Sequence, residues 1–290
     1  MFRIYKKEFL DVSASKDLIH PDSLALAGDG TPVVTSHRER KKRICNCKEN
    51  GITECDCNRF FSQPDCDMGW DSSRDCFYHG YDLYMLVDSQ SDLPVFPHFS
   101  CASKHDSHGF LHAFFRMRAF LPEYKVSKII LDSAHDAMPY YQYFKRENIT
   151  PFIDLNGKGG RPPVYKNDFT IDNDGVPICP AGCRMHRDGI EAAKGRMKFK
   201  CPKMCRKNGC ISCTCETPCS DAKYGRTVHL VLNDNPRLFN NPPRSSEEWK
   251  KEYNARTSVE RSNKREKIDF KLESGRHRST KMWYCRLYHI

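Results

Sequence analysis

Tyr253, Arg256, Glu260 and Lys267, in the stretch YNARTSVERSNKREK, are the residues whose types and spacing most suggest chemistry. On a helix that turns about 100° per residue they fall within an arc of roughly 60°, so the four side chains share one face. Ala255, Val259 and Phe270 lie roughly 100° away and give the helix a side to pack. A charged helix is usually just a solvated face. A carboxylate on one stripe with a phenol and two cations suits a narrower purpose, in which an acid is offered to a metal ion while Arg256, Arg261, Lys264 and Lys267 meet phosphate.

A lone acid needs partners. Asp29, after LALAG, and Asp132, after KIIL, stand where apolar strands are expected to end. Strand tips are rigid, and carboxylates are the ligands that Mg²⁺ prefers. Two such acids and a third from a helix can hold two divalent ions, Mg²⁺ or Mn²⁺, about 3.5–4 Å apart. Such a pair activates a water or a 3′-hydroxyl and stabilises the leaving oxygen in phosphodiester chemistry. Each acid also has an ordinary reading. Asp-Gly after a strand is a common turn, and Asp132 or Asp136 can cap the helix that DSAHDA opens. Asp71, Asp82, Asp88, Asp106 and Asp154 are further acids that only position ranks lower.

The elements that must position these groups follow from periodicity. LALAGDGTPVV (24–34) reads as a strand ended by a polar turn at Gly-Asp-Gly. YDLYMLVD (81–88) and PVFPHFSCAS (94–103) read as strands, HDSHGFLHAFFRMRAFL (105–121) as a helix and VSKIILD (126–132) as a buried strand. DAMPYYQYFKREN (136–148) is a helix and ITPFIDLN (149–156) another strand, which makes an α/β layer in the order β-β-β-α-β-α-β. Residues 157–244 interrupt it with Gly, Pro and eight cysteines. A helix from about Ser245, capped by Ser245 or Ser246, then carries the opening stretch. The expected division is 1–156 for the first part of a catalytic domain, with a Cys-rich loop at 36–76, then 157–244 for an insertion and 245–290 for a helical closing part.

Composition narrows the partner. A chain of 290 residues holds one large domain or two small ones, and its 47 Lys+Arg against 37 Asp+Glu, net +10, favour a polyanion such as nucleic acid. No apolar run approaches the roughly 20 residues of a membrane span. MFRIYKKEFLDV has no secretion-signal pattern, so sixteen cysteines in close clusters read as thiolate ligands in a reducing cytoplasm. Cys45-x-Cys47-x7-Cys55-x-Cys57 supplies four ligands for structural Zn²⁺. Cys179-x3-Cys183 with Cys201, Cys205, Cys210, Cys213, Cys215 and Cys219 supplies one or two further sets, with His186 in reserve. Reduced thiols without metal are the alternative in both places. The basic tail 264–286 reads as a phosphate-tracking surface, and Trp283 and Tyr284 as core residues before base-stacking ones.

Taken in order along the chain, these motifs resemble the DDE transposases of bacterial insertion sequences. The resemblance is to the branch whose third acid lies in Y-x2-R-x3-E-x6-K, which Tyr253, Arg256, Glu260 and Lys267 match at every position. Asp29-Gly30-Thr31 stands where the family shows D-G-T after a strand, and LDSAHDA around Asp132 is similar to its second-acid pattern. GYDLYMLVD…LPV…HDS (80–107) looks like the run between the first two acids, although Asp82 stands where relatives often carry Lys.

The resemblance implies a ribonuclease-H-like α/β fold, with 157–244 as a long insertion before the helix of the third acid. It implies Mg²⁺- or Mn²⁺-dependent cutting at the element's ends and strand transfer into target DNA by a homodimer assembled on DNA. The setting would be the bacterial cytoplasm, at the nucleoid. Asp29, Asp132 and Glu260 would bind metal, and Tyr253, Arg256 and Lys267 would contact DNA. Only 28 residues precede Asp29, fewer than the end-recognition region of relatives needs, so a catalytic-domain fragment is expected. The alternatives are an inactive remnant and a zinc-ribbon nucleic-acid binder, in which the three acids would lie apart.

Overall fold

The run LALAGDGTPVV forms a single strand, β1 (Leu24–Val34), with no turn at Gly-Asp-Gly. The reason is its neighbour. A long strand over Cys76–Asp88 pairs with it antiparallel without a break, from Leu26↔Asp88 to Val34↔Gly80, so the ladder runs straight through Asp29. This computed structural model describes residues 1–35, 39–43, 45–57, 59–61, 63, 65–157, 169–172, 174–207 and 210–290.

Ahead of β1 lie α1 (Phe2–Tyr5), a π-helical turn at Lys6–Leu10 and α2 (Asp11–Ser15). After it come β2 (Glu39–Arg43), β3 (Arg59–Phe61), β4 (Asp67–Asp71), β5 (Cys76–Asp88), β6 (Pro94–Cys101), α3 (Asp106–Phe120) and β7 (Val126–Leu131). The chain continues through α4 (Met138–Arg146), β8 (Thr150–Ile153), β9 (Thr170–Ile171), β10 (Pro177–Ile178), β11 (His186–Glu191) and β12 (Arg196–Lys200). It ends with β13 (Met204–Lys207), β14 (Cys210–Cys213), β15 (Thr227–Val231), α5 (Glu247–Asn254), α6 (Thr257–Lys264) and α7 (Thr280–Leu287).

These elements form two units. The first is Met1–His135, Ile149–Pro151 and Ala255–Ile290. Its sheet runs β4-β5-β1-β7-β8, with β6 also on β5. β1 is antiparallel to β5 and parallel to β7, so the sheet is mixed. Apolar runs buried on both faces explain its centre: Leu24, Leu26, Ala27, Leu83, Leu86, Ile129 and Leu131 are fully buried. α3 covers the sheet with Phe110, Ala113, Phe114 and Met117, the i, i+3, i+4, i+7 stripe of an amphipathic helix.

The second unit is Asp136–Asn148 and Phe152–Asn254. It is larger than the segment 157–244 because buried polar groups tie α4 and the end of β8 to it. Arg237 donates twice to Asp136, at 2.8 and 2.5 Å. Arg244 donates to Ile153 O, Arg237 O, Asn240 Oδ1 and the Tyr141 hydroxyl. Its apolar centre gathers Phe169, Ile171, Met197, Phe199, Val228, Leu230 and Phe239.

The helix expected from Ser245 through Lys267 is two helices. Ser246 Oγ caps α5, whose anchor is buried Trp249 in the second unit. The chain turns at Ala255 and Arg256, and α6 restarts around fully buried Val259 in the first unit. A π-helical turn at Arg265–Asp269 then shifts the phase again. One wheel therefore does not describe Tyr253 through Lys267.

Candidate acid cleft

Three carboxylates converge in the first unit. Asp29 lies mid-strand on β1, opposite Met85, rather than at a strand tip. Asp132 follows β7 directly, as expected, and Asp106 opens α3. Oxygens of Asp29, Asp106 and Asp132 all lie within 4.8 Å of one another. Glycine makes the crowding possible. A Cβ at Gly30 would sit 2.5 Å from Asp106 Oδ1 and 3.0 Å from Asp82 Oδ1, and one at Gly28 would sit 2.8 Å from the Tyr84 hydroxyl.

The electrostatics follow from burial and like charge. Burial raises the Asp29 carboxyl to about 6; Arg256 opposes the rise, and Asp132 and Asp106 add to it. Burial also lifts Asp106, and it lifts Asp82 far above the usual range, helped by Asp106 and Asp29. Asp82 Oδ2 is buried without a hydrogen-bond partner. Asp132 goes the other way. Burial would raise it, but the bond from His135 and the charge of Arg256 together hold it below the ordinary carboxylate value.

His135 orients Asp132 from beneath. Its ring is fully buried; Nδ1 donates to Asp132 Oδ1 at 2.6 Å, and Nε2 lies 3.0 Å from the Tyr84 hydroxyl. Asp132 Oδ1 also accepts from Ala134 N, so the acid caps the short turn as well as facing the cleft.

Glu260 stands at the rim and is not part of the close group. Arg256 joins it to the centre, with Nη1 donating to Asp29 Oδ2 at 3.2 Å and Nη2 to Glu260 Oε1 at 2.5 Å. The cleft, about 660 Å³, is also lined by Arg74, Lys104, Lys264 and Lys267 and by half-exposed Trp70. Lys267 donates to Pro32 O at 2.6 Å and pairs with Glu273 at 3.4 Å. Arg261 does not line the cleft: it makes a bidentate pair with Asp92, both bonds 2.7 Å. Tyr253 belongs to the second unit, where its ring stacks on Trp249 at 4.6 Å.

The remaining acids have structural duties. Asp71 and Asp88 cap turns through Ser73 and Ser91. Asp136 is held by Arg237 in the second unit, and Asp154 bonds to Leu155 N there. Asp106 and His135 were not singled out as site residues from sequence. The triplet His105-Asp106-Ser107 was the available signal, but it opens a helix, where an acid is ordinary. Trp283 is fully buried, and the Tyr284 hydroxyl accepts from Phe99 N, so both serve packing.

Four thiols form a second cluster. Sγ atoms of Cys45, Cys47, Cys55 and Cys57 lie within 4.8 Å of one another, a set that could hold a metal ion such as zinc. Hydrogen bonding from Cys45 and Cys57 pushes the Cys47 thiol up to about 12, the behaviour of thiols crowded without a cation. Among the described residues, no three cysteines of the second unit close to that range. Cys179 is buried in that unit's apolar centre, and Cys183 and Cys219 pack against it. The remaining thiols there, Cys201, Cys205, Cys213 and Cys215, form no disulfide, and the Cys210 side chain lies outside the described residues. His186 is exposed at the start of β11. Among the described residues, no helix is long and apolar enough to cross a membrane.

No family model matches this chain, and no curated protein matches it.

Proposed function

We propose that this chain is the catalytic domain of a DDE-type transposase, with a ribonuclease-H-like core, that cuts DNA at an element's ends and joins it to target DNA. The observation that carries the reading is the convergence of Asp29, Asp106 and Asp132 in one basic-walled cleft, with Glu260 linked to it through Arg256. The strand order supports the fold reading: β1 lies centrally, antiparallel to β5 and parallel to β7, with β6 on the far side of β5.

The residues fit a pair of Mg²⁺ or Mn²⁺ ions. The donors are hard carboxylate oxygens, and Asp29 and Asp106 are pushed up first by burial and then by the acids crowded beside them. Asp29, Asp132 and Glu260 would hold the ions, with Asp106 as a fourth carboxylate. When bound, the ions would activate the attacking oxygen and stabilise the leaving one. The protein's own groups do the rest. His135 fixes the rotamer of Asp132. Arg256 keeps Asp29 and Glu260 facing each other and supplies a planar fork for phosphate. Arg74, Lys104, Lys264 and Lys267 give the cleft walls positive charge for the DNA backbone. Trp70 offers a half-exposed ring on which an unpaired base can stack. Zn²⁺ in the Cys45–Cys57 set would staple the loop that carries it.

The test is metal-dependent nicking of a duplex carrying the inverted repeats that flank the gene. Cutting should need Mg²⁺ or Mn²⁺ and fall to background in Asp29→Asn and Glu260→Gln, which keep shape and remove charge. Cutting that survives in Asp29→Asn sinks the enzyme reading. A folded chain that binds Mn²⁺ and never cuts is the inactive remnant.

A further inference from the structure

α6 and the turn after it separate two cavities. Glu260, Asn263, Lys264 and Lys267 line the acid cleft, whereas Ser262, Arg265 and Glu266 line a second cavity of about 600 Å³. That volume is typical of small-molecule sites. Its walls are largely apolar, built from Tyr5, Phe9, Met85, Pro97 and Leu287. Of its polar groups, which include Glu8, Ser262, Arg265 and His289, Glu266 is the buried acid. Its carboxyl is buried, at 6% exposure, and among the described residues Oε2 has no hydrogen-bond partner, although the Ser262 hydroxyl serves the group. A buried acceptor left unpaired is costly, and in a cavity wall it specifies what the cavity takes.

The neighbouring groups do not neutralise it. The Arg265 guanidinium reaches Asp92, at O (3.3 Å) and Oδ2 (3.5 Å). The Tyr5 hydroxyl donates to Pro94 O, and Glu8 at the wall pairs with Lys7. A ligand carboxylate would gain no opposite charge from Glu266 in either protonation state, and an alcohol would bring a donor but no charge. We propose that this cavity binds a small apolar molecule bearing one protonated amine, with the ammonium on Glu266 and the apolar body against Phe9, Met85 and Leu287. Burial raises the Glu266 carboxyl to about 8, so near neutrality it carries a proton. A neutral amine takes that proton, or an ammonium ion displaces it to solvent, and either route ends in the same ammonium–carboxylate pair.

The proposal rests on this cavity alone and is independent of the metal reading. The test is calorimetric titration of the full chain with 2-phenylethylamine, 2-phenylethanol and 3-phenylpropionate at pH 7. The amine is expected to bind best, and Glu266→Gln to weaken it roughly tenfold or more, since charge-assisted hydrogen bonds are the strong ones. Glu260→Gln, on the opposite face of the helix, should leave amine binding unchanged. If Glu266→Gln does not fold, Ile4→Trp serves instead: Ile4 is a largely exposed wall residue, and a larger side chain there should occlude the cavity. Equal affinity for amine and alcohol overturns the proposal, as does preference for the carboxylate, absence of amine binding, or binding unmoved by either cavity variant.

Discussion

At Gly30 the absence of a side chain leaves space that two carboxyl groups occupy, since a Cβ there would meet both Asp106 and Asp82. Gly30→Ala should therefore displace Asp106, costing about 1–3 kcal/mol in stability as overpacking does. It should weaken Mn²⁺ binding by roughly tenfold, at about 1.4 kcal/mol per decade. Thermal unfolding and Mn²⁺ titration read the two effects separately, and unchanged affinity would remove Asp106 from the site. Arg256 makes a second residue-level test. Its fork spans Asp29 and Glu260, which a single ammonium cannot do in the same geometry. If the proposed function holds, Arg256→Lys should lose most DNA cutting while keeping the melting temperature; full activity would show that the bridge is incidental. Asp132 stands directly after its strand as expected, and Arg256 and Glu260 were set apart by their spacing, whereas Asp29 was singled out by an expected strand end that the ladder in fact runs through. Asp106 was not legible, because the first turn of a helix is where an acid needs no special reason.

Secondary structure was legible where burial imposed a period. The helix expected at 105–121 is α3, Asp106–Phe120, and the strands expected at 94–103 and 126–132 are β6 and β7 with trimmed ends. Two features were hidden because they depend on partners. β1 continues through Gly-Asp-Gly because a distant strand completes its ladder, and a pairing across that distance leaves no local trace. The helix at 247–264 divides because Trp249 and Val259 anchor its halves in different units. Arg244 had no sequence signal at all, yet it serves four neutral acceptors in the second unit. Lysine has neither the fork nor enough donors directed this way. Arg244→Lys should thus destabilise the protein by about 2–4 kcal/mol, read by urea unfolding. A loss below about 0.5 kcal/mol, the scatter of ordinary surface substitutions, would mean the acceptors find water.

Across the whole molecule, buried charge sets how stability depends on pH. Glu266 titrates near 8 when folded, against an ordinary value of 4.5. The native state thus holds a proton that the unfolded chain releases. Stability from this group is complete below pH 4.5 and declines as pH rises towards 8, by ~1.4 kcal/mol for each unit between. Glu266→Gln should melt above the parent protein at pH 8.5 and lose that advantage near pH 4.5. Identical pH profiles would contradict the buried-proton account. The thiol cluster predicts a separate molecular property: elemental analysis should find about one Zn²⁺ per chain, lost in Cys55→Ser. A ratio near zero in the parent would leave four reduced thiols. The first unit is built from three stretches of chain, with all of the second unit made before Ala255. On the ribosome, Asp29, Asp106 and Asp132 emerge early, while Arg256 and Glu260 arrive only after the second unit has been synthesised. A product that stops before residue 255 would carry the three crowded acids without the Arg256 guanidinium that reaches Asp29. The order of synthesis thus supplies the last wall of the acid cleft only when the chain is nearly finished.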